Sequence, residues 1–418
     1  MTLIKEESKN RFKALLKNPT VLVMVILIFI ALFTFIVYPL IKVLQTSFTD
    51  NSGNFSLEVY KTVFKSGYIR QGFYNSILVA VLTAVIGTFL GFLYAYAINR
   101  AGLPFKRFFK AVALMPMVFP PFIGALSIIM LFGFNGLITA GIFGVRNFPV
   151  YGLWGLMIAQ TISFFPVAFI TLDGVISTIS PTLEDAAFNL KANRLQVFFK
   201  VILPLSVPGI ASTMLVLFIE SLADFGNPLI LAGSRFPILS VQAYLQITGM
   251  FDLKSGAAMA VWLLLPSLIA FILQKYWIGK KKYITVSGKP TTSSIKSVSP
   301  FAKWLLFLFV LLVSLFILLI YVIIFFGAFS KIWGMNNTLT LENFRYVLDV
   351  GIESIKDTLT LALTSTPISA VLGMIIAFLL VRKVFPGKKI MEFTSLLSFA
   401  VPGTVIGIGY ILAFNNKP

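Results

Sequence analysis

The sequence predicts an all-α integral membrane protein: one complete six-helix unit, then a second, incomplete copy of about three helices. Three observations carry this reading. Only 12% of the 418 residues are charged and 58% are hydrophobic, whereas soluble domains carry about 25% charged residues. The apolar residues come in runs, such as Val21–Val43 and Trp304–Phe326, each matching the about 20 residues a helix needs to cross a hydrocarbon core. Loop residues of the first half also recur in the second at a nearly constant spacing. Helices are the expected spanning form because each satisfies its backbone polar groups internally.

Spans are expected at about 21–44, 74–98, 107–134, 150–172, 209–234 and 257–278 in the first unit. In the second they fall at 302–328, 355–380 and 391–414. The first run is too long for the apolar core of a signal peptide and no small-residue cleavage site follows it, so it reads as a retained span. Cations gather in alternate connections: Lys5, Lys9, Arg11, Lys13 and Lys17; then Arg100, Lys106, Arg107 and Lys110; then Lys275, Lys280, Lys281 and Lys282; then Arg382, Lys383, Lys388 and Lys389. The positive-inside rule puts these, and the N-terminal segment 1–20, in the cytoplasm. Nine crossings then leave the C-terminus outside. The first unit is 21–279. Segment 280–300, rich in Ser, Thr and Lys, reads as a cytoplasmic linker. The second unit is 301–418.

Composition also excludes chemistry. The net charge of +19 is spread between apolar runs instead of along one stripe, which favours membrane orientation over nucleic acid. With no Cys and no His, thiolate and imidazole sites are absent, and any metal would need oxygen ligands. Gly288-Lys289 lacks the rest of a phosphate-binding loop: Tyr283 and Pro290 stand where Gly and Ser or Thr are required.

The repeat is read from its loops. Ser56-Leu57-Glu58 with Tyr60 matches Thr340-Leu341-Glu342 with Phe344. Asn75-Ser76 matches Asp357-Thr358, Gly91 and Ala95 match Gly373 and Ala377, and Arg100 matches Arg382. Pro104–Arg107 and Val118-Phe119-Pro120 match Pro386–Lys389 and Ala400-Val401-Pro402. Both copies run in the same direction, a parallel repeat. The second stops after its third span, without counterparts of the segment from Val150 to Gly279.

The informative connection is 173–209. Ser180 is placed to cap a helix with Pro181 at its first position, and Glu184 and Asp185 fall near that positive end. Ala186-Ala187 gives the helix a small face. After Asn193, Leu195, Phe198, Phe199 and Ile202 fall on one helical face, and Pro204 and Pro208-Gly209 end the element before the fifth span. A solvated amphipathic connector is the plainer alternative. Asp185-Ala186-Ala187, followed at fixed distance by Val201-Ile202-Leu203-Pro204, resembles the EAA loop of ABC importer permeases. Asp185 stands for the usual Glu, Val201 for Ile, and Lys191 for the usual Gly. Gly permits a left-handed turn that Lys adopts at a cost. The resemblance implies the type I permease fold and makes this loop, with Glu184, Asp185, Ala186, Ala187, Lys191 and Val201–Pro204, the element that couples to a cytoplasmic ATPase, Asp185, Ala186, Ala187 and the following turn making the contact.

The resemblance covers nearly the whole chain. It is nearest to the fused two-unit permeases of the ferric-iron importer group, which has relatives for phosphonates and other small anions. Ala223–Pro228 looks like a motif of that group. It implies partners: an ABC ATPase dimer that binds ATP and Mg²⁺, an extracytoplasmic substrate-binding protein, and membrane lipid. A second permease chain is a further possible partner. No cofactor, metal site or catalytic residue is assigned to this chain. Glu220 and Asp224, at i and i+4, are expected to share a face of the fifth span, and with Asn227 and Gln160 they are candidates to line a pathway. Structural pairing or an interfacial position is the alternative, and Asn227-Pro228 either breaks the helix or forms a plain turn. Two other readings stay open: an ion-driven secondary transporter, for which matched midspan charges would be expected in both copies, and a truncated fragment that does not transport.

Overall fold

In the computed structural model, residues 18–50, 52–278 and 298–415 are described. The expected linker, most of the N-terminal segment and the Gly288-Lys289 pair lie outside them. The chain is helical almost throughout. Helix α1 (Pro19–Ser47) contains one π turn at Phe33–Val37. It is followed by the short α2 (Glu58–Lys65) and the long α3 (Gly67–Arg100), which Ser66 caps by accepting from the Ile69 amide. Then come α4 (Lys106–Val118), α5 (Phe122–Phe132) and α6 (Leu153–Thr178). The connection of interest holds α7 (Pro181–Asn189) and leads into α8 (Arg194–Ala223). Short α9 (Gly226–Leu231) and α10 (Leu239–Thr248) precede α11 (Leu253–Ile272). The second copy has α12 (Pro300–Phe329), α13 (Glu342–Val350), α14 (Ile352–Arg382), α15 (Lys388–Ala400) and α16 (Gly403–Phe414). Among the described helices, 8 are long and apolar enough to cross a membrane, and the α15–α16 pair is bent by 108°.

Several expected boundaries are corrected. The third span, expected at 107–134, is two helices. Phe119 turns extended (φ −95°, ψ 147°) ahead of Pro120-Pro121, because a residue before proline avoids the helical region and proline has no amide hydrogen to donate. The second copy breaks at the matching place, with Val401 at φ −90°, ψ 123° before Pro402, so the expected span at 391–414 is also divided. The fifth span is not 209–234. Its helix begins at Arg194 and ends at Ala223. Pro204 and Pro208 do not stop it: a π turn at Phe198–Ile202 carries the helix into Pro204, with the Leu203 amide bonded to the Phe198 carbonyl. A small antiparallel hairpin, β1 (Ser330–Ile332) with β2 (Asn336–Leu339), was not expected. Its counterpart in the first copy is the single bridge between Thr49 and Phe55.

The repeat extends to backbone conformation. Phe105, before α4, has φ 53°, and its match Gly387, before α15, has φ 83°. A left-handed residue starts both helices, although only one copy uses glycine there.

The two copies are interleaved. Helix α12, the first of the second copy, packs on α3, α4 and α5 of the first. The Tyr94 hydroxyl donates to the Phe109 carbonyl and lies 2.8 Å from Ser314 Oγ; Ser127 Oγ donates to the Ile320 carbonyl at 2.8 Å; and Trp333 Nε1 donates to the Met130 carbonyl at 3.0 Å. In return, α1 packs on the second copy, through a cluster of Val25, Ile28 and Leu32 with Leu379, Phe385 and Met391. The Tyr410 hydroxyl donates to the Phe35 carbonyl.

The centre of the first copy is α3 against α6. A methyl placed on Gly91 would lie 2.7 Å from Ala168 Cβ, so the two backbones meet at van der Waals distance there. Tyr94 stacks edge-on against Phe165 and Phe169 just beyond. In the second copy the matching Gly373 is open, and α14 is exposed along most of its length. Gly91→Leu is therefore expected to lower stability by about 1–3 kcal/mol through overpacking, whereas Gly373→Leu changes nothing. Denaturation midpoints of the two variants in detergent check this.

Candidate functional site: the loop at the basic end of the bundle

The ends of α3 and α6, with α7 and the start of α8, meet at one end of the molecule. Lys110 and Lys275 lie at this end, as charge sorting predicts. Lys110 pairs with Asp173 at 2.9 Å, and Lys275 with Glu392 of the second copy at 3.2 Å. Asn99 also donates to Asp173, at 2.7 Å. The opposite end holds the starts of α3 and α10: Asn75 donates to the Pro237 carbonyl, and Ser76 accepts from the Leu239 amide.

Helix α7 forms as its sequence requires. Ser180 is the cap, Pro181 the first residue, and the Ser180 hydroxyl accepts from the Thr182 amide. Its far end closes in a Schellman turn: the Lys191 amide bonds to the Phe188 carbonyl at 2.9 Å and the Ala192 amide to the Ala187 carbonyl at 3.0 Å. Lys191 sits in the left-handed region at φ 59°. It takes the conformation expected at this position without the glycine that would adopt it freely. Asn193 and Gln196 then form a reciprocal capping box that starts α8.

Adjacent residues of α7 have opposite surroundings. Glu184 is buried and faces the bundle, where Arg100 Nε lies 2.7 Å from its carboxylate. The Nε–H is not aligned for a hydrogen bond to that oxygen, so the contact is Coulombic. The Arg100 Nη2 donates to the carbonyls of Ile176 (3.2 Å) and Ile179 (2.8 Å) at the end of α6, so two of the guanidinium's five N–H donors are satisfied there. Asp185 and Ala186 face outward, while Ala187 and Phe188 pack against the core. Adjacent residues diverge in this way because one residue along a helix is a rotation of about 100°.

The second half of the motif splits likewise. Leu195 and Phe199 are exposed. Phe198 lies against Tyr96 (5.1 Å) and Phe92 (6.3 Å), and Ile202 is fully buried. Leu195 and Phe199 lie on one edge of the apolar arc and Phe198 and Ile202 on the other, and only the second edge meets the bundle. Val201 and Leu203 are half-buried and Pro204 is exposed. Leu183 and Leu190 extend the exposed apolar surface around Asp185, with Leu190 84% exposed. Sequence reasoning missed Arg100, which it counted only as an orienting charge. The signal within reach was its repeat partner Arg382: two arginines at matched helix ends mark a position with a structural demand.

The intramembrane candidates form a separate cluster. The α8 helix ends at Ala223, and Asp224 leaves it with ψ 131°, so Glu220 and Asp224 do not share a helical face. Asp224 is buried and accepts from Gln160 Nε2 and from Asn227 Nδ2, both at 2.9 Å. Gln160 accepts from Thr83 on α3 (3.3 Å) and from Ser221 on α8. Asn227 also donates to Ser163. The helix therefore breaks at Asp224-Phe225, before Asn227-Pro228. Gln160, Asp224 and Asn227 come together, whereas Glu220 is half-buried and makes no ion pair among the described residues. Beside this cluster a cavity of about 580 Å³, lined by Tyr68, Pro228, Gln242, Gln246 and Met250 among others, has no charged residue among its described lining. Among the described residues, no three acidic groups converge as a metal site would require.

Lys191→Gly is expected to relieve about 1 kcal/mol of backbone strain and raise the unfolding midpoint in detergent. A lower midpoint would show that the turn does not strain the lysine.

Residues 85–282 match the binding-protein-dependent transport system inner membrane component family. A putative ferric transport system permease protein of Haemophilus influenzae is 35% identical over 98% of this chain and 66% of its own length. The ferric transport system permease protein FbpB of Actinobacillus pleuropneumoniae is 36% identical over 94% of this chain and 58% of its own length. The chain thus spans less than two thirds of the length of these two relatives. A bacterial alginate ABC transporter, solved in complex with an alginate pentasaccharide-bound periplasmic protein, shares the fold with a TM-score of 0.54 at 15% identity, over 63% of this chain and 96% of that one. The α7–α8 loop, the helical bundle around it and these relatives agree: the chain belongs to the binding-protein-dependent permeases of ABC importers, and ferric transport permeases are among its relatives.

Proposed function

We propose that this chain is the transmembrane permease subunit of an importer for ferric iron, driven by a separate ABC ATPase. The observation that carries the mechanism is the surface of α7: Asp185 and Ala186 point away from the bundle, with Leu183 and Leu190 exposed on the same segment and Leu195 and Phe199 exposed at the start of α8, at the end where cations collect. A small-residue face bearing one carboxylate and an apolar rim suits docking into a groove of a cytoplasmic protein. The basic end is then cytoplasmic, as is the N-terminus, in a bacterial inner membrane. A substrate-binding protein delivers cargo at the opposite end, where α9 and α10 border the cavity. The relatives named for ferric transport support iron as the cargo.

In this scheme the chain performs no bond chemistry. The ATPase dimer binds and hydrolyses ATP with Mg²⁺, its movement reaches the loop, and the bundle alternates between its two openings. The Gln160–Asp224–Asn227 cluster ties α3, α6, α8 and α9 together at the point where α8 breaks, so a change in those hydrogen bonds would reshape the path. We infer that these residues act at the gate, and Glu220 is the carboxylate open to passing cargo.

The full chain, purified with its candidate ATPase and binding protein in proteoliposomes, is expected to take up ferric iron in an ATP-dependent manner. Asp185→Lys is expected to weaken ATPase retention about tenfold or more by opposing charge at the docking surface. Uptake that follows an imposed ion gradient and ignores Asp185→Lys would favour a secondary transporter. Uptake of a phosphonate in place of iron would reassign the cargo and leave the mechanism intact.

A further inference from the structure

The buried pair between Arg100 and Glu184 has a role beyond holding charge, and its geometry says which. Arg100 is the last residue of α3. Its guanidinium reaches two carbonyls at the end of α6 and the carboxylate of α7. Both side chains of the pair are about 95% buried, at 5% and 6% exposure. Three elements are joined through one side chain.

The same two long helices are joined again at mid-length, by Thr83 of α3 donating to Gln160 of α6 and Gln160 donating to Asp224. From Thr83 to Arg100 along α3 is roughly 25 Å at 1.5 Å per residue. Close packing of Gly91 against Ala168 lies between.

We propose that Arg100 is the positioning residue through which α7 moves as one body with α3 and α6, linking the loop to the Gln160–Asp224 break. The transport part of this statement rests on the proposed ATPase coupling; the mechanical part does not. Without Arg100, α7 keeps its outward face but loses its hold on the bundle. Docking of a partner survives and transmission does not.

The chain contains no cysteine, so a nitroxide at Leu190→Cys reports α7 alone. In the full chain in detergent, Arg100→Met is expected to increase the mobility of that label, and Arg100→Lys to restore part of the order. With the ATPase and binding protein present, Arg100→Met is expected to leave ATPase retention and basal hydrolysis unchanged while lowering binding-protein-stimulated hydrolysis about tenfold, within the range of ordinary coupling energies. Loss limited to stimulated turnover is not what a general folding defect produces. If Arg100→Met does not accumulate, Glu184→Gln gives the same two readings, since it leaves the guanidinium its two carbonyls. An unchanged label spectrum together with full stimulation in the variant measured overturns the proposal. If the unsubstituted chain never retains an ATPase, the proposed function fails, while the label spectrum of the chain alone still decides whether Arg100 holds α7.

Discussion

The close approach of α3 to α6 is the constraint on which the rest of the structure depends. Between helices in lipid there is no hydrophobic gain to hold them together, so small residues and interhelical hydrogen bonds must do it. Gly91 against Ala168 supplies the contact. Because the helices are this close, Thr83 reaches Gln160 at mid-length and Arg100 reaches the last carbonyls of α6 at the end. A wider spacing would leave the guanidinium and the Asp224 carboxylate without partners, and an unpaired charge in the membrane interior is costly.

Interleaving of the two copies follows from the same shortage of driving force. Helix α12 lies against α3, α4 and α5 through hydrogen bonds at Tyr94–Ser314 and Ser127–Ile320, each worth about 0.6 kcal/mol in a membrane. Their contribution is orientation more than strength. With α1 packed on α14, α15 and α16 in return, each copy lends its first helix to the other. Proline breaks at Pro120 and Pro402 shape both copies alike, with the residues around Pro402 buried and those around Pro120 exposed.

Glu184 and Asp185 show how one residue's step along a helix separates two jobs. Glu184 anchors the loop and Asp185 presents it. The Schellman turn at Lys191 and the π turn before Pro204 set the directions of the flanking segments. The loop is thus rigid at its base, with Phe198 and Ile202 in the core, and apolar at its rim, with Leu190, Leu195 and Phe199 exposed. Such a surface suits a partner that must transmit displacement.

Much of this could be read without coordinates. Spanning helices, their number in the first unit, the repeat and the sidedness of cations come from composition and spacing, because a membrane leaves a chain few alternatives to apolar helices of a set length. The start of α7 was legible for the same kind of reason, because capping acts within a few residues; the left-handed turn was not, because lysine at 191 disfavours the conformation it takes. What the coordinates alone decide involves residues far apart in the chain. The exchange of α1 and α12, the burial of Glu184 beside Arg100, and the split of Leu195 and Phe199 from Phe198 and Ile202 depend on which surfaces meet. Periodicity assigns a residue to a face but does not say what that face meets. Asp224 is the sharpest case. By spacing it pairs with Glu220 on one helix, but the helix ends one residue earlier, and Gln160 and Asn227 draw the carboxylate inward.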